Sequence, residues 1–376
     1  MYIQVHVSTR KKKSRIPLML AISAVLAVLT FAARKLAVSR PDITEKYYSS
    51  GIFPVTSAIQ TGISNIFPFS LYEIFIMLIA LIFLYMLYRL VRSIYLKNFS
   101  EEAARFAAFI VFAVSLWWFL FNFLWNLNNY RIPLKDRLGL QVEMYSESEL
   151  SSTYKALVLR ANEIRSGLQL TNENTHRRKM VKTVLKTAWE GYKPLSEKYP
   201  FFSSRRVNVK GLIFSRIQTI SGYAGVYSFL TGEPNINIEP PLVTLPHAAC
   251  HEIAHQMGIT FENEANYAGF LACKNHTEPL FQYSGYLSAI TYTGNELYRQ
   301  SPQLYEEISL LLIDEIKDDQ RNVRNFWDTY QKERITKIAD DVNELYLKSN
   351  NQPDGLRSYG KFVDLLIADF LEDGEI

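Results

Sequence analysis

The sequence predicts a mostly helical α+β chain, in which three N-terminal transmembrane helices are followed by a domain outside the membrane that carries a small β-sheet. Three observations carry this. Long apolar runs with at most one charge recur three times before residue 131 and nowhere after it, and a span needs about 20 such residues. Charge divides at the same place: residues 1–128 hold 13 Lys/Arg against 5 Asp/Glu, whereas the remainder is mildly acidic. A stretch after residue 206 is rich in Val, Ile, Tyr and Phe with glycines between, which reads as short strands.

The membrane domain, residues 1–130, has expected spans at about 17–33, 68–88 and 106–130. The first is bracketed by Arg10, Lys11, Lys12, Lys13 and Arg15 before it and by Arg34 and Lys35 after it. Its apolar run exceeds the roughly 7–15 residues of a signal peptide, so an uncleaved anchor is expected. The second contains Glu73, three residues after Ser70, a spacing that caps a helix start. The third carries Trp117, Trp118 and Trp125 and no charge. Arg89, Arg92, Lys97 and Arg105 crowd the short connection between the second and third spans. By the positive-inside rule that connection and the N-terminus are cytoplasmic. The mixed-sign loop at 34–67 and residues 131–376 are then extracytoplasmic. The expected location is a bacterial inner membrane, crossed several times.

Residues 131–376 form the second expected domain. Ser146 and Glu149 have capping-box spacing and open a helix over about 147–166. A second helix is expected from Asn174 to Tyr192, stopping before Pro194. Strands are expected over 207–217 and 223–230, and an edge strand over 235–238. From Pro302 the pattern is helical, broken at 350–355 by a Gly/Pro/Asn cluster. The acidic balance of this half argues against nucleic acid as a partner. Two cysteines exclude a disulfide scaffold, and 14% aromatic residues exclude disorder. A Cys250–Cys273 disulfide is compatible with an extracytoplasmic setting, as is burial of two free thiols.

The chemistry is concentrated in Pro246-His247-Ala248-Ala249-Cys250-His251-Glu252-Ile253-Ala254-His255-Gln256-Met257-Gly258. Residues four apart share a helix face, so His251 and His255 can grip one Zn²⁺. Glu252 is then placed to take a proton from a water activated by the ion. His247 lies on the same face but about 12 Å along the axis from His255, too far for both to reach one ion. It lines the cleft, supports a ligand from behind, or is simply exposed. A third ligand is required. Phe261 stands where the H-E-x-x-H-x-x-G-x-x-H pattern would place a third histidine, so Glu262 and Glu264 are the nearest candidates. Helical phase sets them on opposite borders of a small-residue face and does not choose between them. Tyr267, Tyr283 and Tyr286 read as core, and His276 as a poor ligand candidate.

His251-Glu252-x-x-His255 followed by Glu262-x-x-Ala265-Asn266 resembles the gluzincin-type zinc metallopeptidases, whose second motif is E-x-x-A-D. That likeness covers about residues 246–273. Nearly the whole chain is similar to a bacterial three-span membrane-protein family catalogued as a domain of unknown function, with a Pro-Phe-Ser-x-x-Glu start to its second span. The peptidase resemblance implies a zincin-like domain in which His251, His255 and Glu262 are ligands and Glu252 is the general base. It puts Asn266 where the peptidases have an Asp supporting a ligand imidazole. The implied function is a membrane-anchored, zinc-dependent metallopeptidase acting on a peptide or protein substrate outside the bilayer. The alternative is a non-catalytic zinc-binding membrane receptor or scaffold.

Overall fold

A computed structural model describes residues 15–170, 174–350, 352 and 361–374. The basic run at 10–14 and most of the break expected at 350–355 lie outside the described residues. The fold is mostly helical with one small open sheet. The longer helices are α1 (Ile16–Ser39), α2 (Phe53–Ser64), α3 (Leu71–Tyr95), α4 (Phe99–Leu124), α5 (Glu147–Ser166), α6 (Asn174–Thr187), α7 (Ser215–Ser221), α8 (Leu245–Gln256), α9 (Glu262–Lys274), α10 (Pro279–Gln300), α11 (Asp314–Tyr330), α12 (Glu333–Ser349) and α13 (Lys361–Asp373). The strands are β1 (Lys210–Gly211), β2 (Gly225–Ser228) and β3 (Glu233–Ile236).

Two compact units are present, and they do not follow chain order. One contains residues up to Leu36 and Met77–Phe123. In it, α1, α3 and α4 are each long and apolar enough to cross a membrane. The Arg89 guanidinium donates to both oxygens of Glu102 at 2.8 and 2.7 Å, tying α3 to α4 next to their connection.

The other unit contains Ala37–Ile76 and the chain from Leu124 onward. Its core joins α5, α8, α9, α10 and α13 through Leu150, Tyr154, Leu157, Ala249, Ala268, Phe270, Tyr283 and Phe362. The capping box forms as expected: Ser146 Oγ accepts from Glu149 N–H, and the Glu149 carboxylate accepts from Ser146 N–H. Tyr267, Tyr283 and Tyr286 are buried core residues.

Several elements differ from the sequence reading. The expected third span stops at Leu124. Trp125 breaks the helix (φ −157°), and Asn126–Tyr130 form a buried 3₁₀ turn within the second unit. Three asparagines there need hydrogen-bond partners that a bilayer core lacks. Residues 34–67, read as a loop, are largely helical: Pro41–Ile43 and a π-helix over Thr44–Ile52 lead into α2. Past Thr187 the chain makes a 3₁₀ turn and a further helix, Tyr192–Lys198. Pro194 lies in the first turn of that helix, where no intrahelical N–H is required.

The strand expected over 207–217 is reduced to Lys210–Gly211. Beyond it, Ile213 and Phe214 N–H donate to the Glu73 carboxylate at 3.0 and 2.7 Å rather than to a neighbouring strand. Glu73 therefore does not complete a box with Ser70; only the Ser70 Oγ half forms, accepting from Glu73 N–H. The free amides at the start of α3 are met from the sheet instead, by Glu233, which accepts from Leu71 and Tyr72 N–H at 3.1 and 2.9 Å. The strand expected at the sheet edge is central: the order is β1-β3-β2, with β1 parallel and β2 antiparallel to β3.

Candidate metal centre

Pro246 sits in the first turn of α8, where a missing N–H costs nothing. The helix ends at Gln256, and Gly258 continues with a left-handed φ of 78°. That turn releases the chain into α9. Close approach of α9 to α8 depends on Gly269, where a Cβ would lie 3.1 Å from His251 N. The first turn of α9 thereby meets the third turn of α8.

The result is a cluster of two imidazoles and one carboxylate. Ligating atoms of His251, His255 and Glu262 all lie within 4.8 Å of one another. His251 Nε2 is 3.3 Å from Glu262 Oε2, and His255 Nε2 is 3.7 Å from Glu262 Oε1. Donors around a tetrahedral zinc are about 3.3 Å apart, given bonds of about 2.0–2.1 Å. The His251 and His255 rings stand at 89° with centroids 4.6 Å apart.

Protons decide what this cluster can hold. His255 Nδ1 faces the Ile259 carbonyl at 2.8 Å. A carbonyl only accepts, so Nδ1 carries the hydrogen and the Nε2 lone pair of the neutral ring points at Glu262. A lone pair facing a carboxylate needs a cation between them, either a proton or a metal. Burial disfavours charge on His255, but Glu262 outweighs it and pushes the imidazole up to about 9. Burial likewise opposes the Glu262 anion, and the two imidazoles overcome it and hold the carboxyl far below its usual range. His251 Nδ1 is buried with no partner. This donor set, two nitrogens and a carboxylate oxygen, suits zinc.

Glu252 lies beside the cluster, buried, with Oε2 unpartnered. Burial pushes its carboxyl up to about 7 against the pull of the neighbouring imidazoles. Strand β2 runs along its other side.

Glu264, the alternative ligand, faces away from the imidazoles: its Oε1 accepts from Leu134 N–H at 2.8 Å. His247 is buried rather than exposed, and burial lowers its pKa to about 4. Its Nε2 contacts the Asn266 main-chain carbonyl at 3.2 Å. The Asn266 side chain pairs with Tyr292, while its Nδ2 has no partner. His276 stays apart: its ring nitrogens engage Thr187 O and Glu278 N–H. Cys250 and Cys273 are buried free thiols.

Other residues at the centre were not singled out from sequence. Trp125 Nε1 donates to the His255 carbonyl at 3.1 Å, and its indole meets the His255 ring edge-on. Arg131 donates to the Met257 and Gly258 carbonyls, which end α8, and pairs with Glu45 at 3.1 Å. Tyr223, Tyr292 and Tyr346 are all within electrostatic reach of Glu262; burial first raises their phenols, followed by that carboxylate for Tyr292 and Tyr346 and by Asp340 and then Glu262 for Tyr223. Among 23 tyrosines no local pattern marks these three.

No curated protein and no solved structure matches the chain. A family profile described as protein of unknown function (DUF3810) matches residues 48–367, which spans α2 to α13 and includes the whole cluster. The chain belongs to this family of unknown function, DUF3810, and carries three helices long and apolar enough to cross a membrane.

Proposed function

We propose that the chain is a membrane-anchored, zinc-dependent metallopeptidase with a zincin-like domain on the extracytoplasmic face of a bacterial inner membrane. The observation that carries this reading is the convergence of His251, His255 and Glu262 within 4.8 Å beside the buried Glu252. Zinc, when bound, supplies Lewis acidity that brings a water's pKa towards about 7 and polarises a carbonyl. His251, His255 and Glu262 would hold it. Glu252 accepts the proton of the attacking water and returns it to the departing amine, a role suited to a carboxyl tuned near neutrality.

Substrate positioning follows from the sheet. β2 is an edge strand, and its first residue, Gly225, borders Glu252. An extended peptide adding to that edge by main-chain hydrogen bonds runs past the general base.

Sidedness has its own support. Residues 37–76 follow the first span and residues from 124 follow the third, and they fold into one unit. Three crossings put both on the same side. The basic residues Arg89, Arg92, Lys97 and Arg105 in the opposite connection favour the cytoplasm for that connection.

The test uses the full chain, purified in detergent, wild type beside Glu252→Gln. About one zinc per chain in both, with digestion of a peptide library by the wild type alone, supports the reading. Equal digestion by Glu252→Gln overturns the mechanism. A closed four-ligand site with no digestion replaces it with a zinc-binding receptor or scaffold.

A further inference from the structure

Helix α2 is amphipathic the wrong way round for a helix on a water-soluble domain. Its inward face is polar. Ser57 Oγ donates to Gln256 O at 3.0 Å, and Gln256 Nε2 donates to Thr61 Oγ1 at 2.8 Å and to Gly232 O at 2.7 Å. Gln60 Nε2 donates to Phe229 O and Leu230 O, and Ser64 O accepts from Lys210 Nζ. The outward face is aliphatic, with Val55, Ile59 and Ile63, and it is flanked by Ile52 at the end of the π-helix and Ile66 in the turn after α2, each more than half exposed. The four-residue steps from Val55 to Ile59 to Ile63 confine these three to a sector of about 80° on a helical wheel. Five branched aliphatic residues along this face and its flanks form a patch that a water-facing surface does not carry without an occupant.

The chain itself names the occupant. The first candidate span ends at Ser39 and the second begins at Leu71, so the polypeptide leaves and re-enters the bilayer on either side of α2. Only residues 65–70 separate α2 from α3, a reach of at most about 21 Å. The flanking Ile66 lies just ahead of that re-entry.

We propose that α2 lies in the bilayer interface with its aliphatic face in lipid. Its polar face holds the metal-bearing helix α8 against the membrane, so that the site acts on peptide bonds close to a membrane-insertion point. The substrate half rests on the peptidase reading; the lipid half does not. Gln256, which α2 grips, directly follows His255. The cluster therefore lies about one helix diameter, about 10–12 Å, plus a side chain from the lipid-facing surface. At about 3.3–3.6 Å per extended residue, a bond reaches the site from roughly three to six residues beyond the membrane surface. The turn after β2, at Phe229 and Leu230, also rests on Gln60, so the substrate-binding edge is held at the same level.

The experiment uses the full chain in phosphatidylethanolamine–phosphatidylglycerol vesicles. A spin label is placed at Ile59→Cys, with Leu159→Cys on the exposed face of α5 as control. Both native cysteines are buried. Collision with oxygen, which concentrates in lipid, is compared with collision with a water-soluble nickel chelate. A label at 59 that is accessible to oxygen and shielded from nickel, with the reverse at 159, supports the lipid contact. Nickel access at 59 equal to that at 159 overturns it, as does shielding from both probes, the mark of a second copy or another protein.

One peptide is then offered free in solution and as the short extension of an acylated anchor in the same vesicles. Faster hydrolysis of the anchored form, on the order of 10²-fold through effective concentration, supports the substrate class. Equal rates overturn that class while leaving the peptidase intact. No hydrolysis of either overturns the class together with the peptidase reading, and the labels at 59 and 159 still decide the lipid contact.

Discussion

Gly225 lies so close to Glu252 that a Cβ on it would come within 2.4 Å of Oε1 and 2.8 Å of Cδ. Strand β2 can pass the carboxylate only because that position has no side chain. Gly225→Ala must displace either the strand or Glu252. Overpacking of this kind costs about 1–3 kcal/mol, and here the strain falls on the proposed general base. The expected outcome is a folded protein that keeps its zinc stoichiometry and loses hydrolysis. Parallel zinc analysis and peptide digestion check it; full activity in Gly225→Ala would show that Glu252 has room to spare.

Glu262 and Glu264 are separated by one residue and have different partners, the two imidazoles for the first and Leu134 N–H for the second. Glu262→Gln is expected to lower zinc affinity by more than the roughly 10–100-fold that a supporting residue costs. Glu264→Gln is expected to leave zinc affinity unchanged. Zinc titration of both variants against a competing chelator separates them, and a loss of affinity in Glu264→Gln instead would reassign the third donor.

The contrast between these glutamates also shows how far the sequence could be read. The His251–His255 pair was legible because a four-residue step on a helix is a fixed geometry. The spans were legible because length and apolarity are local. Choosing Glu262 required knowing where Leu134 lies, more than a hundred residues earlier. Trp125–Tyr130 looked like the end of an apolar run, but its asparagines bond within the turn, to Trp125 O and to one another, and distant residues hold that turn through Trp125 to His255 O and Gln352 to Asn129. Helix α2 was hidden for a different reason. Its aliphatic stripe, flanked by Ile52 and Ile66, is visible in the sequence, but mixed charges at residues 34–46 drew the segment into a loop. Residues 213–217 combine Ile and Phe as a strand would, yet Glu73, from the start of another helix, claims the amides of Ile213 and Phe214, and residues 215–217 open α7.

Arg131 is the strut behind the C-terminus of α8. Its guanidinium is almost fully buried, paired with Glu45 and donating to the Met257 and Gly258 carbonyls. Arg131→Met keeps the apolar stem but removes the donor of two carbonyls and leaves Glu45 to Ser50 Oγ, Ile132 N–H and the more distant Arg137. Losing charge-assisted hydrogen bonds of this kind costs about 1.5–3 kcal/mol. Chemical denaturation of the full chain in detergent is expected to show a loss of that size, with Arg40→Met, at an exposed pair with Asp42, near zero. Equal midpoints for the two variants would show that Arg131 is not a strut.

His276 gives the domain a pH dependence remote from the cluster. Its Nε2 donates to Thr187 O at 3.0 Å, and its Nδ1 accepts from Glu278 N–H at 3.0 Å. Only the neutral ring can do both. Its face stacks on Phe281 at 3.8 Å. Burial lowers its pKa below the ordinary 6.5, outweighing the neighbouring carbonyl and carboxylates. The unfolded chain therefore takes up the proton first as pH falls. The stability that His276 contributes is present above about pH 6.5 and is lost as pH falls through its lower folded value. His276→Gln, whose amide also donates and accepts, is expected to flatten this part of the profile. Thermal unfolding of both proteins between pH 7.5 and 5 reads the difference, and parallel curves would remove His276 from the account.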